Sequence, residues 1–275
     1  MDRLLFLIIT AMLCTQGHAH DNSSQATYLG NEGVMVARGD TRILFDAFYS
    51  DSYSRYTLVP KEIAEAMLAG EAPYDGIDAI FVSHVHGDHF TAGPAVTYLR
   101  AHPQVQLYGT EQIREAIIDI GVAANDPLFE RIHTYSIEPE DKPIEFSLDG
   151  LLVEAVAIPH SGGEQMADID NLAWRVTLDA MTTVIHLGDA GPIIADFERH
   201  QSFFEKRKSH AAFVPYWLYL DETGVSIIEN IIAADQAIGV HVPASAIGKG
   251  DETREQLGAD AFTDPGETRR IEGSK

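Results

Sequence analysis

The sequence predicts an α+β fold in which two mixed β-sheets pack face to face, with helices on the outside. Three observations predict it. The chain has 275 residues, 45% of them hydrophobic and 9% aromatic, which suits the core of one domain of roughly 250 residues. Short apolar runs rich in β-branched residues alternate with helical patterns, with no long linker or low-complexity tract between them. Each half of the chain is β-rich at its start and mixed later, as expected for two sheets that each carry helices on one face. The single cysteine, Cys14, excludes a disulfide scaffold and a cysteine-built zinc ribbon.

The N-terminus stands apart. Residues 4–13 read LLFLIITAML, with Arg3 before them and Gly17-His18-Ala19 after them. A short apolar run between a cation and small residues reads as a secretory signal peptide over 1–19. It falls short of the roughly 20 residues a membrane-spanning helix needs. Residues 20–275 are then a single mature domain, expected in the periplasm or secreted. Cleavage removes Asp2, Arg3 and Cys14, so the mature chain has no cysteine and its net charge stays at −23. With 42 Asp+Glu against 19 Lys+Arg and no run of basic residues, nucleic acid and an anionic membrane surface are poor partners. A small-molecule substrate is the expected partner.

Along the mature chain, residues 25–29, 34–38 and 42–46 read as a meander of strands. Gly30-Asn31-Glu32-Gly33 and Gly39-Asp40-Thr41 supply its turns. A helix over 60–69 has Pro60 at its start and Gly70 past its end. A buried strand at 77–83 precedes a helix over 91–101, with Pro94 in its first turn. A strand at 104–108 leads to a helix over 110–120, with Thr110 as its cap and Gly121 closing it. Strands 143–148 and 151–158 flank Asp149-Gly150, a hairpin signal. Strands follow at 172–178 and 182–187, then a helix over 194–206 and a strand at 211–214. A helix over 222–235 and a strand at 238–242 complete the pattern. The polar tail from Gly248 has no clear pattern.

The chemistry concentrates after the strand at 77–83, in His84-Val85-His86-Gly87-Asp88-His89. His84 and His86 are two apart, so in extended chain they point the same way. Gly87 permits a sharp turn, after which Asp88 and His89 point elsewhere. One segment thus serves two neighbouring metal positions, and imidazole with carboxylate suits zinc, with iron or manganese as alternatives. This H-x-H-x-D-H run resembles the signature of the metallo-β-lactamase superfamily. The resemblance spans about 25–247 and extends to His160 ending a strand, Asp189 in a Gly-Asp turn and His241 ending the last strand. These follow His89 at successive spacings of 71, 29 and 52 residues.

The resemblance implies a four-layer αββα sandwich and two zinc ions. His84, His86 and His160 would hold one ion, and Asp88, His89 and His241 the other, with Asp189 bridging. Asp88 and Asp189 are thereby the catalytic carboxylates, and water deprotonated between the ions is the nucleophile. Asp46 would stand behind the ligands and hold an imidazole in its tautomer. Aspartate at 189, where true β-lactamases carry cysteine or serine, points to glyoxalase II-like and lactonase-like relatives. Asn31-Glu32-Gly33 and Ile43-Leu44-Phe45-Asp46 favour the lactonase-like branch. The implied reaction is hydrolysis of a lactone, ester or amide. A phosphodiesterase or other phosphoester hydrolase, or a metal-binding protein without catalysis, are the alternatives. Tyr216 and Trp217 are candidates to wall the pocket or donate to an oxyanion, and Ser161-Gly162-Gly163 is a loop that could face substrate. Only Arg38 and Arg175 lie near these segments, both within strands, which favours a neutral acyl substrate. His186 reads as a core histidine, and His20, His102, His133, His200 and His210 as surface or loop residues.

Overall fold

The computed structural model describes residues 23–272. The proposed signal peptide and His20 lie outside the described residues. Seven strands form the first sheet: β1 (Ser24–Gly30), β2 (Gly33–Arg38), β3 (Thr41–Phe45), β4 (Ala79–Phe81), β5 (Gln106–Thr110), β6 (Ile132–Tyr135) and β13 (Thr268–Ile271), in the order β13-β1-β2-β3-β4-β5-β6. Six form the second: β7 (Ile144–Leu148), β8 (Leu151–Ala157), β9 (Leu172–Asp179), β10 (Thr182–His186), β11 (Ala211–Pro215) and β12 (Gln236–Val240), in the order β12-β11-β10-β9-β8-β7. Each sheet is antiparallel in its meander and parallel where helices intervene, at β3-β4-β5-β6 and β10-β11-β12.

Strand alternation distributes the apolar side chains over three layers of core. Val34, Ile43, Phe45, Phe81, Trp174 and Phe213 meet between the sheets. Leu44 and Ile80, on the opposite face of the first sheet, pack with Leu99 of α2 (Ala92–Ala101) and Ile113 of α3 (Glu111–Asp119). Ile185 and Ala212, on the outer face of the second, pack with Phe197 of α4 (Ile194–Glu198) and Phe204 of α5 (Gln201–Lys206). This is the αββα sandwich. The buried Trp174 indole donates to the Val82 carbonyl at 2.9 Å and the Leu172 N–H to that of Ser83 at 3.0 Å. The two sheets are therefore tied together beside the H-x-H-x-D-H segment.

Several elements depart from the sequence pattern. Pro60 caps α1 (Lys61–Ala69) from outside, and Gly70 closes it at φ 66°. Thr110 precedes α3, but its hydroxyl makes no cap and is buried without a partner. The expected helix over 194–206 is broken into α4 and α5. His200 at the break is buried and donates from Nε2 to the Ala157 carbonyl at 3.0 Å, so it is a core residue and not a surface one. His102, His133 and His210 are half-buried, and His133 sits on β6, stacked on Tyr108. The helix expected over 222–235 begins as α6 (Glu222–Ser226), widens to a π-helical turn over Ile227–Ile232 and ends at Ala233. The tail forms α7 (Gly250–Leu257) and β13, which pairs with β1 at the sheet edge.

Candidate metal centre

The predicted donors arrive from strand ends at one rim of the sandwich. His84, His86, Asp88 and His89 follow β4, His160 follows β8, Asp189 follows β10, and His241 follows β12. The carboxyl ends of parallel strands are where open α/β sheets place ligands. Donor atoms of His84, His86, His160 and Asp189 lie within 4.8 Å of one another, and so do those of Asp88, His89 and His241. Asp189 joins the two groups. Its Oδ2 faces His160 Nε2 at 3.2 Å and His84 Nε2 at 3.9 Å. Its Oδ1 faces His89 Nε2 at 3.2 Å and His241 Nε2 at 3.3 Å.

The residues behind these donors decide which nitrogen each ring presents. Asp46 accepts from the Ser83 N–H at 2.7 Å, the Ser83 hydroxyl at 2.5 Å and His89 Nδ1 at 2.9 Å. The Ser83 oxygen in turn accepts from His84 Nδ1 at 2.9 Å. The Nδ1 protons of both rings are thus held from behind, and both rings turn Nε2 to the cluster. His160 Nδ1 donates to the Ser161 carbonyl, which leaves its Nε2 free. Asn31 donates to the Asp88 carbonyl at 2.9 Å, and its own carbonyl accepts from the His241 N–H at 2.9 Å. Asn171 accepts from the Asp189 N–H at 3.1 Å and bonds the Ile158 and Leu187 carbonyls, joining the chain before His160 to that before Asp189. Asp46 (φ 40°) and His241 (φ 61°) both hold left-handed backbone, a strain that clusters at functional sites. At Gly188 (φ 54°) a Cβ would stand 2.3 Å from Asn171 Oδ1 and 2.5 Å from Ser83 Cβ, so only glycine lets this turn close.

The electrostatics suit divalent cations. Four carboxylates (Glu32, Asp46, Asp88 and Asp189) are buried here, and among the described residues no Lys or Arg pairs with any of them. Burial and then the neighbouring His89 push His84 well below the ordinary histidine range; burial and His160 lower His86. Burial would raise Asp189, but His241 and His89 outweigh it and hold it well below the carboxylate range. Burial would likewise raise Asp88, and its bond to His241 outweighs that. In His89 the order reverses: burial lowers it, but Asp189 and Asp46 raise it well above normal. Without metal, a proton on His89 supplies the positive charge that the carboxylates demand. Asp189 Oδ1, His160 Nε2 and both Glu32 oxygens are buried with no hydrogen-bond partner. Neutral His84 and His86, ionised Asp88 and Asp189, and the orphaned donor atoms of Asp189 and His160 are the set a divalent cation takes, so the residues fit the implied metals.

Above the cluster opens a cavity of about 540 Å³, lined by Tyr53, Arg55, Tyr56, Met166, Tyr216 and Trp217, with Ser161 and Gly162 at its side. Trp217 Nε1 already donates to the Ala190 carbonyl at 3.0 Å, so it walls the cavity and has no proton left for an oxyanion. Tyr216 Oη accepts from Arg55 Nη2 at 3.1 Å and keeps its own proton to give. Arg175 and Arg38 are elsewhere, paired with Glu154 and Asp179. Arg55 corrects the expectation that no cation borders the site. Sequence reasoning missed it along with Ser83, Asn171, Tyr56 and the positioning part of Asn31. Ser83 had a signal, standing directly before His84; Asn171 had none.

Fold and cluster together define a metal-dependent hydrolase of the metallo-β-lactamase fold. Residues 41–228 match the beta-lactamase superfamily domain, and the chain belongs to that family. No curated protein matches it. Among solved structures it is similar to Igni18, a metallo hydrolase from the hyperthermophilic archaeon Ignicoccus hospitalis KIN4/I. The TM-score is 0.60 at 16% identity, over 92% of this chain and 100% of that one. It is similar to the metallo-beta-lactamase fold protein YhfI from Bacillus subtilis, with TM-score 0.57 and 16% identity over 91% and 100%. An isothiocyanate hydrolase from Delia radicum gut bacteria gives TM-score 0.56 and 14% identity over 90% and 100%. At these identities the likeness is one of fold.

Proposed function

We propose that the chain is an exported hydrolase with two divalent metal ions, zinc foremost, that opens a lactone, ester or amide. The observation that carries this reading is Asp189, whose two oxygens face two separate sets of donors. His84, His86 and His160 would hold one ion, Asp88, His89 and His241 the other, and Asp189 both. Bound there, the ions supply Lewis acidity for a carbonyl oxygen and bring the pKa of water down to near neutrality.

The chain's own groups do the rest. Asp46, directly and through Ser83, holds the Nδ1 side of His89 and His84 so that Nε2 of each is aimed inward. Asn31 fixes Asp88 and the strained His241. Trp217 and Met166 give the cavity apolar walls, and the Tyr216 hydroxyl is placed to donate a hydrogen bond to substrate oxygen. Export rests on the 1–19 leader and is tested by cell fractionation with N-terminal sequencing of the product. Among the described residues no helix is long and apolar enough to cross a membrane.

The activity is tested with protein reconstituted separately with zinc, manganese and iron. A panel of lactones, esters, thioesters and amides is compared with bis-p-nitrophenyl phosphate. Turnover of an acyl substrate is expected. Activity confined to the phosphodiester would overturn the acyl reading, and a metal-loaded protein inert across the panel would overturn hydrolysis.

A further inference from the structure

The chain has 42 acidic and 19 basic residues, and of the described arginines Arg131 and Arg270 lack a carboxylate pair as Arg55 does, Arg131 donating to the His102, Val105 and Leu99 carbonyls instead. Arg38, Arg100, Arg175, Arg199, Arg207 and Arg269 all pair with a carboxylate. Arg55 pairs with none among the described residues, although it is the one cation lining the cavity over the donor cluster. Its guanidinium bonds the Tyr216 hydroxyl at 3.1 Å and lies 5.3 Å from the centre of the Tyr56 ring. That ring meets His241 edge-on with centroids 4.1 Å apart, so Arg55 stands one ring beyond a predicted metal donor.

The position is built, not incidental. The loop between β3 and α1 is pinned to the ligand segment by Asp51 N–H to the Gly87 carbonyl at 3.1 Å and by Gly87 N–H to Tyr53 Oη at 3.2 Å. Tyr53 (φ 47°) and Ser54 (φ 54°) turn the chain through left-handed backbone. The N–H groups of Arg55 and Tyr56 both bond the Ser52 carbonyl, and the Arg55 carbonyl accepts from Ala244 N–H at 2.8 Å. Strained backbone held by this many bonds directs one side chain into the cavity mouth.

We propose that Arg55, with the Tyr216 hydroxyl, is the anchor for a carboxylate on the substrate, so that the substrate is an anionic lactone, ester or amide. This rests on the hydrolytic reading of the site. A guanidinium fork matches the two oxygens of a carboxylate. The three oxygens of a phosphate dianion call for more donors than one fork and one hydroxyl. Between anchor and metal donors the wall is Tyr56 and Trp217, which suits a short carbon framework joining the carboxylate to the scissile carbonyl.

The test uses matched substrates: γ-butyrolactone against its γ-carboxylate derivative, and p-nitrophenyl valerate against the p-nitrophenyl monoester of glutaric acid. Glutarate and glycerol phosphate binding to the metal-loaded protein are measured by calorimetry. The wild type is expected to prefer each carboxylate-bearing member at least tenfold in kcat/KM. Arg55→Ala should collapse that ratio to about one through KM, and Arg55→Lys should restore only part of it. Equal turnover of both members, unchanged by Arg55→Ala, would overturn the anchor. So would Arg55-dependent binding of glycerol phosphate but not of glutarate. If no substrate is turned over while glutarate still binds and Arg55→Ala abolishes this, the hydrolytic reading fails and the anchor stands.

Discussion

Glu32 and Glu154 are both buried, at 0% and 1% exposure, and their surroundings are opposite. Glu154 takes a bidentate pair from Arg175 at 2.8 and 2.9 Å and a third bond from Arg207 at 2.9 Å. Arg175 Nη1 donates to the Phe203 and Arg207 carbonyls, and the guanidinium lies 3.8 Å over the Phe203 ring. Burial would raise the Glu154 carboxyl, but its two arginines outweigh burial and hold it below the ordinary range. Glu32 has the ring nitrogens of His186 and His89 at 3.6 and 3.9 Å, no Lys or Arg partner among the described residues, and both its oxygens without a hydrogen bond. Burial, and then Asp189, drive it well above the ordinary range. One buried cluster is closed by arginines and serves the fold; the other has no Lys or Arg partner among the described residues, and without metal its positive charge rests on the His89 proton. A buried ion pair by itself is thus no mark of a site, whereas a buried carboxylate excess facing a cavity is.

The comparison can be broken at either end. The largest expected effect is at the open cluster. Asp189→Ala or His86→Ala should reduce hydrolysis to background, measured on the best substrate of the panel. Chelation should act likewise and lower the melting temperature by roughly 5–10 °C, restored by adding metal back. Next comes the closed cluster. Arg175→Met should cost about 3–5 kcal/mol in denaturant unfolding, because it strips a buried carboxylate of its main partner. Metal content and activity per folded molecule should be unchanged. Glu154 has a depressed folded pKa, so its contribution is full above the unfolded value near 4.3 and is lost as pH falls through the folded one. The Arg175→Met penalty should therefore shrink on acidification.

Smaller effects follow. Asp46→Asn keeps the shape but alters the partner of His89 and Ser83, and should weaken metal binding about 10–100-fold in a competition titration. Glu32 has a raised folded pKa, so the metal-free protein should lose stability as pH rises from the ordinary glutamate value through the shifted one. Glu32→Gln should flatten that slope in melting curves of chelated protein. An unchanged slope would show that folding does not shift the Glu32 carboxyl.

The open cluster was the part most legible in the sequence. Its first four donors sit within six residues, where strand alternation and one glycine fix their directions, and the others mark strand ends. The paired sheets were legible from the meanders and the Asp149-Gly150 hairpin. Arg55 was not, because its loop is placed at the cavity by bonds with Gly87 and Ala244, both distant in sequence. The break between α4 and α5 was hidden for the same reason: His200 turns inward to a carbonyl 43 residues away. The tail showed no pattern alone because β13 exists only as the partner of β1.

The central claim is that seven side chains from four strand ends hold two divalent ions around Asp189. Its most direct test is metal stoichiometry by elemental analysis during stepwise reconstitution of chelated protein, with hydrolysis followed in parallel. The account predicts about two ions per chain, activity that requires them, and loss of both ions' tight binding in Asp189→Ala. Full activity in thoroughly chelated protein, or an Asp189→Ala variant that keeps both ions and its rate, would contradict it.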